Sequence, residues 1–205
     1  MNAAGTSRAA LLALHYQNDV LHPDGKIRVG LDANSPVRHA VLEAAGTLLG
    51  QARKHNVPII HVRIAFRPDY ADLIANAPIF RNVKAIGAVR EGDWGSQFFD
   101  TLAPDTRSTR EFVVKHTRIN AFFGTQLEEI LRLLDARRLL VAGVATHSVV
   151  ESTVRHAVDM GYEVSVASHA CAAADPAVHQ ASLDSMAVIA QILDTESVHG
   201  FFDPH

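Results

Sequence analysis

The chain of 205 residues lacks the features that mark secreted and membrane-spanning proteins. It has one cysteine, Cys171, so no disulfide can form within the chain, which suits a reducing compartment. No apolar run approaches the roughly 18 residues needed to span a bilayer. Residues 1–8 also lack the apolar stretch of a secretory signal. We therefore predict a cytoplasmic, soluble protein that has no membrane partner.

The chain also has no excess of positive charge. The chain carries 19 Lys and Arg against 22 Asp and Glu, and the basic residues form no stripe. We therefore predict no nucleic-acid partner. Hydrophobic residues make up 48% of the chain, which is enough to bury a sizeable core. We find no internal repeat or low-complexity segment, and we predict that residues 1–205 form a single domain.

Short apolar runs alternate with segments of helical spacing from one end of the chain to the other. This pattern is typical of βαβ units around a mainly parallel sheet, so we predict an α/β fold. The last predicted helix opens at Asp175 and includes Ile192 and Leu193. Residues 65–109 are irregular and rich in Pro and Gly, which indicates a functional excursion with short helices. The predicted strands are residues 9–14, 57–62, 111–115, 138–143 and 163–167.

Ligands of open parallel sheets bind beyond the carboxyl ends of the strands, and candidate catalytic side chains stand at these positions. His15 closes the first strand, where it could act as acid, base or hydrogen-bond donor. Lys115 ends the third strand. Both residues also have a non-catalytic interpretation. His15 could be an ordinary histidine that is hydrogen-bonded to the backbone, and Lys115 could be a surface lysine whose aliphatic stem is buried. Residues 143–146 join a strand to a helix, so their N–H groups could hold a developing oxyanion or simply be capped by Thr146.

Taken together, these segments resemble the isochorismatase-like family, also called the cysteine hydrolases, over roughly residues 8–198. The first match is the apolar strand that runs through His15 into Gln17-Asn18-Asp19, and the second is the strand that ends at Lys115. Several ordered matches at family-like spacing are harder to reach by chance than a single motif. The remaining matches are Phe122-x-Gly124-Thr125-x-Leu127, Gly143-Val144-Ala145-Thr146, Glu151-Ser152-Thr153, Ala157-Val158, Gly161-Tyr162, Ala170-Cys171-Ala172-Ala173 and His179-x-x-Ser182-Leu183.

The resemblance implies a three-layer α/β/α fold with a sheet of about six strands and helices on both faces. It also implies a homo-oligomer, a dimer or tetramer, that acts on a small molecule. The family's amide hydrolases use an aspartate as base, a lysine that supports the charges and a cysteine nucleophile. Its metal-binding amidases carry Asp-x-His after the second strand, where this chain reads His61-Val62-Arg63. We therefore expect no metal and no cofactor.

This chain departs from the family pattern at the catalytic residues. His15 stands in place of the aspartate and Val149 in place of the cysteine, while Lys115 is interpreted as the retained lysine. Valine has no nucleophile, so a thioester route at this position is excluded. Ser148 lies one residue earlier, which on an α-helix turns the side chain by about 100°, and we do not expect it to substitute. We interpret Cys171 as a packed, inert thiol.

Two functions remain open. The first is a hydrolase that adds water to a small, anionic molecule with help from His15 and Lys115. The second is a non-catalytic relative that binds a small molecule or serves in assembly. In the hydrolase, the backbone N–H groups of Ala145 and Val149 would face the negative charge that develops on the substrate. The predicted substrate-binding residues are Gln17, Arg67, Thr146 and His147, with Arg81 and Arg90 as further cations.

Overall fold

The computed structural model describes residues 8–203 of the chain. Six parallel strands form one sheet in the order β3-β2-β1-β4-β5-β6. β1 is buried on both faces along its whole length, as its continuous apolar sequence predicts. The strands are β1 (Ala9–Leu14), β2 (Ile59–Ile64), β3 (Glu111–His116), β4 (Arg138–Gly143), β5 (Glu163–Ala167) and β6 (Gln191–Leu193).

Helices cover both faces of this sheet, which confirms the predicted three-layer arrangement. The long second helix packs against β2 and the turn Ser168–Ala170, whereas the last two helices pack against each other. Short 3-10 turns complete the connections. The helices are α1 (Asn18–Leu21), α2 (Arg38–Lys54), α3 (Pro78–Ile86), α4 (Leu127–Leu133), α5 (Glu151–Asp159) and α6 (Pro176–Met186).

The strand predictions differ from the structure mainly at β2 and β6. β2 begins at Ile59, two residues later than predicted, because Pro58 has no N–H to give to a β-ladder. The prediction that Ile192 and Leu193 belong to the last helix is wrong. α6 ends at Met186, and both residues lie in β6, where they pair with β5. A three-residue strand is too short to show a period that distinguishes it from the end of a helix.

The strand order reverses between β1 and β4, so the chain leaves their carboxyl ends in opposite directions. Such a reversal opens a crevice at the edge of the sheet. The buried carboxylate of Asp19 helps to close this crevice by accepting hydrogen bonds from the N–H groups of Lys26 (3.1 Å) and Val89 (2.7 Å). It thereby ties the loop after α1 to the 65–109 excursion.

The excursion contains α3 and two 3-10 turns and has a small apolar cluster of its own, as a segment with short helices should. Phe66, Phe80 and Val83 pack together in this cluster. The Tyr70 hydroxyl donates to the carbonyl of Ala88 at 2.7 Å, which ties the segment before α3 to the segment that follows it. This packing presents α3 as one wall of the crevice.

Candidate active site

A small cavity of about 50 Å³ occupies the crevice between the carboxyl ends of β1 and β4. His15 and Ser148 bring polar atoms to a lining that is otherwise almost entirely aliphatic and aromatic. Arg118 contributes its cationic side chain to the same lining. The remaining lining residues are Val20, Ile27, Val29, Gly30, Ile64, Ile79, Phe80, Val83, Ile119, Val144 and Ala145.

Two histidines face each other at this site. The Nε2 atoms of His15 and His116 lie 2.5 Å apart, and both rings are buried. His116 Nδ1 lies 3.2 Å from the carbonyl oxygen of Asn120, which can only accept a hydrogen bond. The proton of a neutral His116 ring is therefore on Nδ1, and its Nε2 accepts from the Nε2–H of His15.

This hydrogen-bond order leaves His15 Nδ1 as an unprotonated acceptor. Nδ1 has no hydrogen-bond partner among the described residues, and it is not one of the fully buried atoms that lack a partner. The atom is thus accessible, and the ring to which it belongs lines the cavity. His15 consequently offers the cavity a lone pair that can take a proton.

Burial keeps this pair uncharged at neutral pH. Burial, and secondarily the neighbouring His116, lowers the pKa of His15 well below its ordinary value of 6.5. Burial also lowers the pKa of His116 to about 4, although the hydrogen bond to Asn120 opposes the shift. Both rings are therefore neutral at neutral pH, and His15 is a weaker base than an exposed histidine.

Lys115 does not share this site. Adjacent residues of a strand point to opposite faces of the sheet, and His116 takes the inward direction at the end of β3. The Lys115 ammonium is part-exposed and donates to the carboxylate of Glu91 at 2.8 Å, as Arg63 does at 3.0 Å. The prediction that Lys115 works beside His15 is corrected here, because the β3 residue that contacts His15 is His116.

The connection after β4 also differs from the expected α-helix start. The peptide between Val144 and Ala145 is cis, and Thr146–Val150 forms a π-turn before α5 begins. Val149 is buried and does not line the cavity, whereas Ala145 and Ser148 do. The Ala145 N–H donates no hydrogen bond within the described part of the chain. The sequence analysis predicted that the N–H groups of Ala145 and Val149 face a developing oxyanion. Of these two residues, Ala145 lines the cavity, and its N–H has no hydrogen-bond partner among the described residues.

The predicted substrate-binding residues mostly lie outside the cavity. Gln17 is fully buried and bonds the backbone of Ile64 and Ser96, so it braces the crevice. The Thr146 hydroxyl is buried and pairs with His179 Nδ1 at 2.8 Å. The other predictions are placed as follows: Arg67 pairs with Asp69 on the surface, Arg81 donates to the carbonyl of Ala75, Arg90 pairs with Asp93, and His147 lines an open outer groove.

Comparison with known proteins identifies the family of this fold. The profile of the isochorismatase domain family matches residues 9–197. A "probable inactive nicotinamidase" of Arabidopsis thaliana is 32% identical over 183 residues, which cover 86% of this chain and 87% of that protein. The chain belongs to the isochorismatase family. A relative with a named activity is the ureidoacrylate amidohydrolase RutB of Azorhizobium caulinodans, which is 25% identical over 78% of this chain and 74% of its own.

Solved structures agree on the fold. A cysteine hydrolase from Pseudomonas syringae pv. phaseolicola superimposes with a TM-score of 0.82 at 24% identity, covering 95% of this chain and 92% of its own. In this chain His15 and Val149 stand where the resemblance implies the aspartate and the cysteine, and the β3 residue that contacts His15 is His116.

His116 and Arg118 are the two site residues that the sequence analysis of this isochorismatase-family chain missed. His116 was missed because Phe112, Val113 and Val114 are all apolar, so the sequence shows no alternation that distinguishes the buried face of β3 from the exposed one. Arg118 lies in an irregular loop, where it stacks on Phe80 at 4.1 Å and donates to Asn76 at 2.9 Å. The periodicity of the sequence cannot predict where a side chain in such a loop will lie.

No three or more His, Cys, Asp or Glu side chains among residues 8–203 converge in a way that could hold a metal ion. The expected absence of a metal and of a cofactor stays a prediction. Within the same range, no helix combines the length and the apolar character that crossing a bilayer requires.

Cys171 is expected to be unreactive in the folded protein. It is buried, and burial raises the pKa of its thiol to about 12, so almost no thiolate forms at neutral pH. We predict that iodoacetamide at pH 7.5 leaves the native protein unlabelled and modifies one thiol in guanidinium chloride, as measured by intact mass. Native labelling at a rate close to that of free cysteine would contradict the prediction.

Proposed function

We propose that this chain hydrolyses a small molecule with His15 as general base and without a cysteine nucleophile. The observation that carries the proposal is that His15 and Ala145 line the same cavity. The hydrogen bond to His116 leaves His15 Nδ1 as the acceptor, and the Ala145 N–H has no partner among the described residues. A base and an oxyanion donor that line one small space can together assist attack on a carbonyl group. The net reaction is the addition of water.

The size and character of the cavity favour a small reacting group. About 50 Å³ is far below the 300–1,000 Å³ typical of pockets that enclose drug-sized ligands, so a few non-hydrogen atoms fill it. An outer groove of about 470 Å³ shares Val29, Ile79, Ile119 and Ser148 with the cavity, and it offers room for the rest of the substrate. The predicted anionic character of the substrate now rests on Arg118 rather than on Arg67.

The reaction would proceed in two proton transfers. His15 Nδ1 removes the proton of an attacking hydroxyl while that oxygen bonds to the substrate carbonyl carbon. Negative charge develops on the carbonyl oxygen, where the Ala145 N–H donates a hydrogen bond. The proton on His15 Nδ1 then passes to the leaving group as its bond to carbon breaks. His116, held by the Asn120 carbonyl, orients the His15 ring throughout.

The second function, a non-catalytic small-molecule binder, is favoured by a different observation. The cysteine position is filled by the buried aliphatic Val149, and a relative with 32% identity is described as inactive. A protein of this kind would keep the cavity and lose nothing when His15 is replaced by phenylalanine. The homo-oligomeric state and the cytoplasmic location of the chain also stay predictions.

The adjacent residues His116 and Lys115 provide a matched test. Suitable substrates are ureidoacrylate, nicotinamide, N-carbamoylsarcosine and the generic ester p-nitrophenyl acetate. We expect His116→Phe to lower kcat/KM by about 10²-fold because the His15 ring loses its hydrogen-bond partner. The acid limb of the pH profile should also move to higher pH, since the presence of His116 lowers the pKa of His15.

Lys115→Ala is the control, because its side chain pairs with Glu91 on the other face of β3. Its kcat/KM should stay within about twofold, and its stability within about 0.5 kcal/mol of wild type, as is usual for exposed ion pairs. A large loss in Lys115→Ala together with wild-type rates in His116→Phe would reverse our assignment. Wild-type protein that binds one of these compounds but turns over none of them would favour the binding function.

A further inference from the structure

Ser148 lies in the turn that joins β4 to α5. Thr146–Val150 is a π-turn here and not the first turn of an α-helix. Ser148 lines the cavity with His15 and Ala145, whereas Val149 is buried behind it.

The Ser148 hydroxyl is also uncommitted. Its Oγ makes no hydrogen bond within residues 8–203, whereas the hydroxyls of Thr146 in the same turn and of Ser182 in α6 are both paired. Within the same range the Ala145 N–H and His15 Nδ1 have no hydrogen-bond partner, and both residues line the same cavity as Ser148. The cavity lining thus contains a hydroxyl, an imidazole that His116 orients and a backbone N–H, the groups that acyl transfer needs. Ser148 Oγ and His15 Nδ1 are not bonded to each other here, and catalytic pairs often close only when substrate binds.

We infer that Ser148 is the nucleophile of this chain and forms an acyl-enzyme ester, in the place where other family members use a thiol. The inference rests on the proposed function, because it requires His15 as the base. It replaces the sequence-based expectation that Ser148 does not substitute for the cysteine. The substrate class is then a small acyl compound, an ester or an activated amide, whose acyl group fits about 50 Å³.

Each step of this route balances. Ser148 Oγ bonds to the carbonyl carbon while its proton moves to His15 Nδ1. The tetrahedral intermediate collapses, the bond to the leaving group breaks, and the leaving group takes the proton from His15. Water then attacks the serine ester, gives its proton to His15, and releases the acid as Ser148 recovers the proton. No oxidant, reductant or metal is required.

The test uses p-nitrophenyl acetate and methanesulfonyl fluoride, because both carry reacting groups small enough for the cavity. Wild-type protein should release p-nitrophenolate in a burst that approaches one equivalent per chain. Methanesulfonyl fluoride should add one methanesulfonyl group, located on Ser148 by peptide mass spectrometry, with release of fluoride. Ser148→Ala should lose the burst, the adduct and at least about 10²-fold in kcat.

Ser108 is the control, since it lies just before the amino end of β3, at the opposite edge of the sheet, and lines neither the cavity nor the outer groove. Ser108→Ala should keep the burst and the adduct. Ser148→Cys guards against a folding defect in the alanine variant, because it should retain turnover and become sensitive to iodoacetamide. Circular dichroism and the thermal midpoint of every variant should match those of wild type.

The outcomes separate this inference from the proposed function. If Ser148→Ala turns over p-nitrophenyl acetate at the wild-type rate while His15→Phe does not, water is the direct nucleophile; the inference is then overturned and the proposed function stands. If no sulfonyl adduct forms on Ser148 in wild type, the inference is overturned as well. If His15→Phe keeps both the burst and wild-type turnover, the general-base assignment falls and the inference falls with it.

Discussion

Replacing His15 by phenylalanine is expected to lower kcat/KM by about 10²- to 10⁴-fold, the range usual for loss of a general base. Phenylalanine fills the ring volume and removes both nitrogens, so the accessible Nδ1 and the hydrogen bond to His116 disappear together. The fold should survive, because the ring is buried among aliphatic side chains and an apolar ring suits them. Steady-state kinetics on p-nitrophenyl acetate, with a melting curve of each variant, measures both effects.

The pH profile of the wild-type protein gives a second readout. The base acts when His15 is neutral, and its pKa lies well below 6.5, so kcat/KM should stay level from pH 8 to below pH 6.5. An ordinary histidine would instead halve the rate near pH 6.5. Stability also declines below pH 6.5, because unfolded chains take up protons that the buried His15 and His116 accept only at lower pH. Circular dichroism at each pH separates the two causes of lost activity.

His39→Gln is the matched control, because the His39 side chain is 93% exposed on α2 and its Nδ1 lies 3.8 Å from the carboxylate of Glu43. It should leave the rate and the profile unchanged. An acid limb centred at pH 6.5 or above in wild type would show that the base is a solvated histidine rather than His15. A His15→Phe variant with the wild-type rate would leave the non-catalytic function as the better description of this chain.

The fold could be predicted from the sequence because buried parallel strands leave a direct signature. The continuous apolar run of β1 and the runs of β4 and β5 coincide with the strands that the structure contains. β6 could not be separated from the end of a helix, since its three residues gain their strand identity from pairing with Ser165–Ala167. Such pairing depends on the whole sheet and leaves no local pattern.

The candidate site could be predicted in outline, and its details could not. His15 was found because it ends an apolar strand, and strand ends meet at the crevice. The choice between Lys115 and His116 depends on which face of β3 points toward β1, and a shift of one residue exchanges the two. The placement of Ser148 depends on a π-turn, and the spacing of side chains in the sequence does not predict such a turn. In both cases the sequence gives the position of the residue but not the direction in which its side chain points.

Gly143 should not tolerate replacement by a residue that has a Cβ atom. It ends β4 with φ of +154° directly before the segment that carries Ala145 and Ser148. A Cβ at this position would lie 2.3 Å from the carbonyl oxygen of Leu14, the residue that precedes His15. Gly143→Ala therefore combines backbone strain with a clash against the end of β1, and we expect it to destabilise the protein by about 3 kcal/mol or more.

The loss of activity should exceed the loss of folded protein, because any relief of this clash separates β1 from β4 and widens the cavity between His15 and Ala145. Gly161→Ala is the control: its φ is also positive, at +86°, but nothing lies within 4 Å of the added Cβ. That variant carries the backbone strain alone and should cost about 1 kcal/mol with unchanged kcat. Urea denaturation and kinetics of both variants make the comparison, and equal destabilisation by the two alanines would show that β1 and β4 do not meet closely at Gly143.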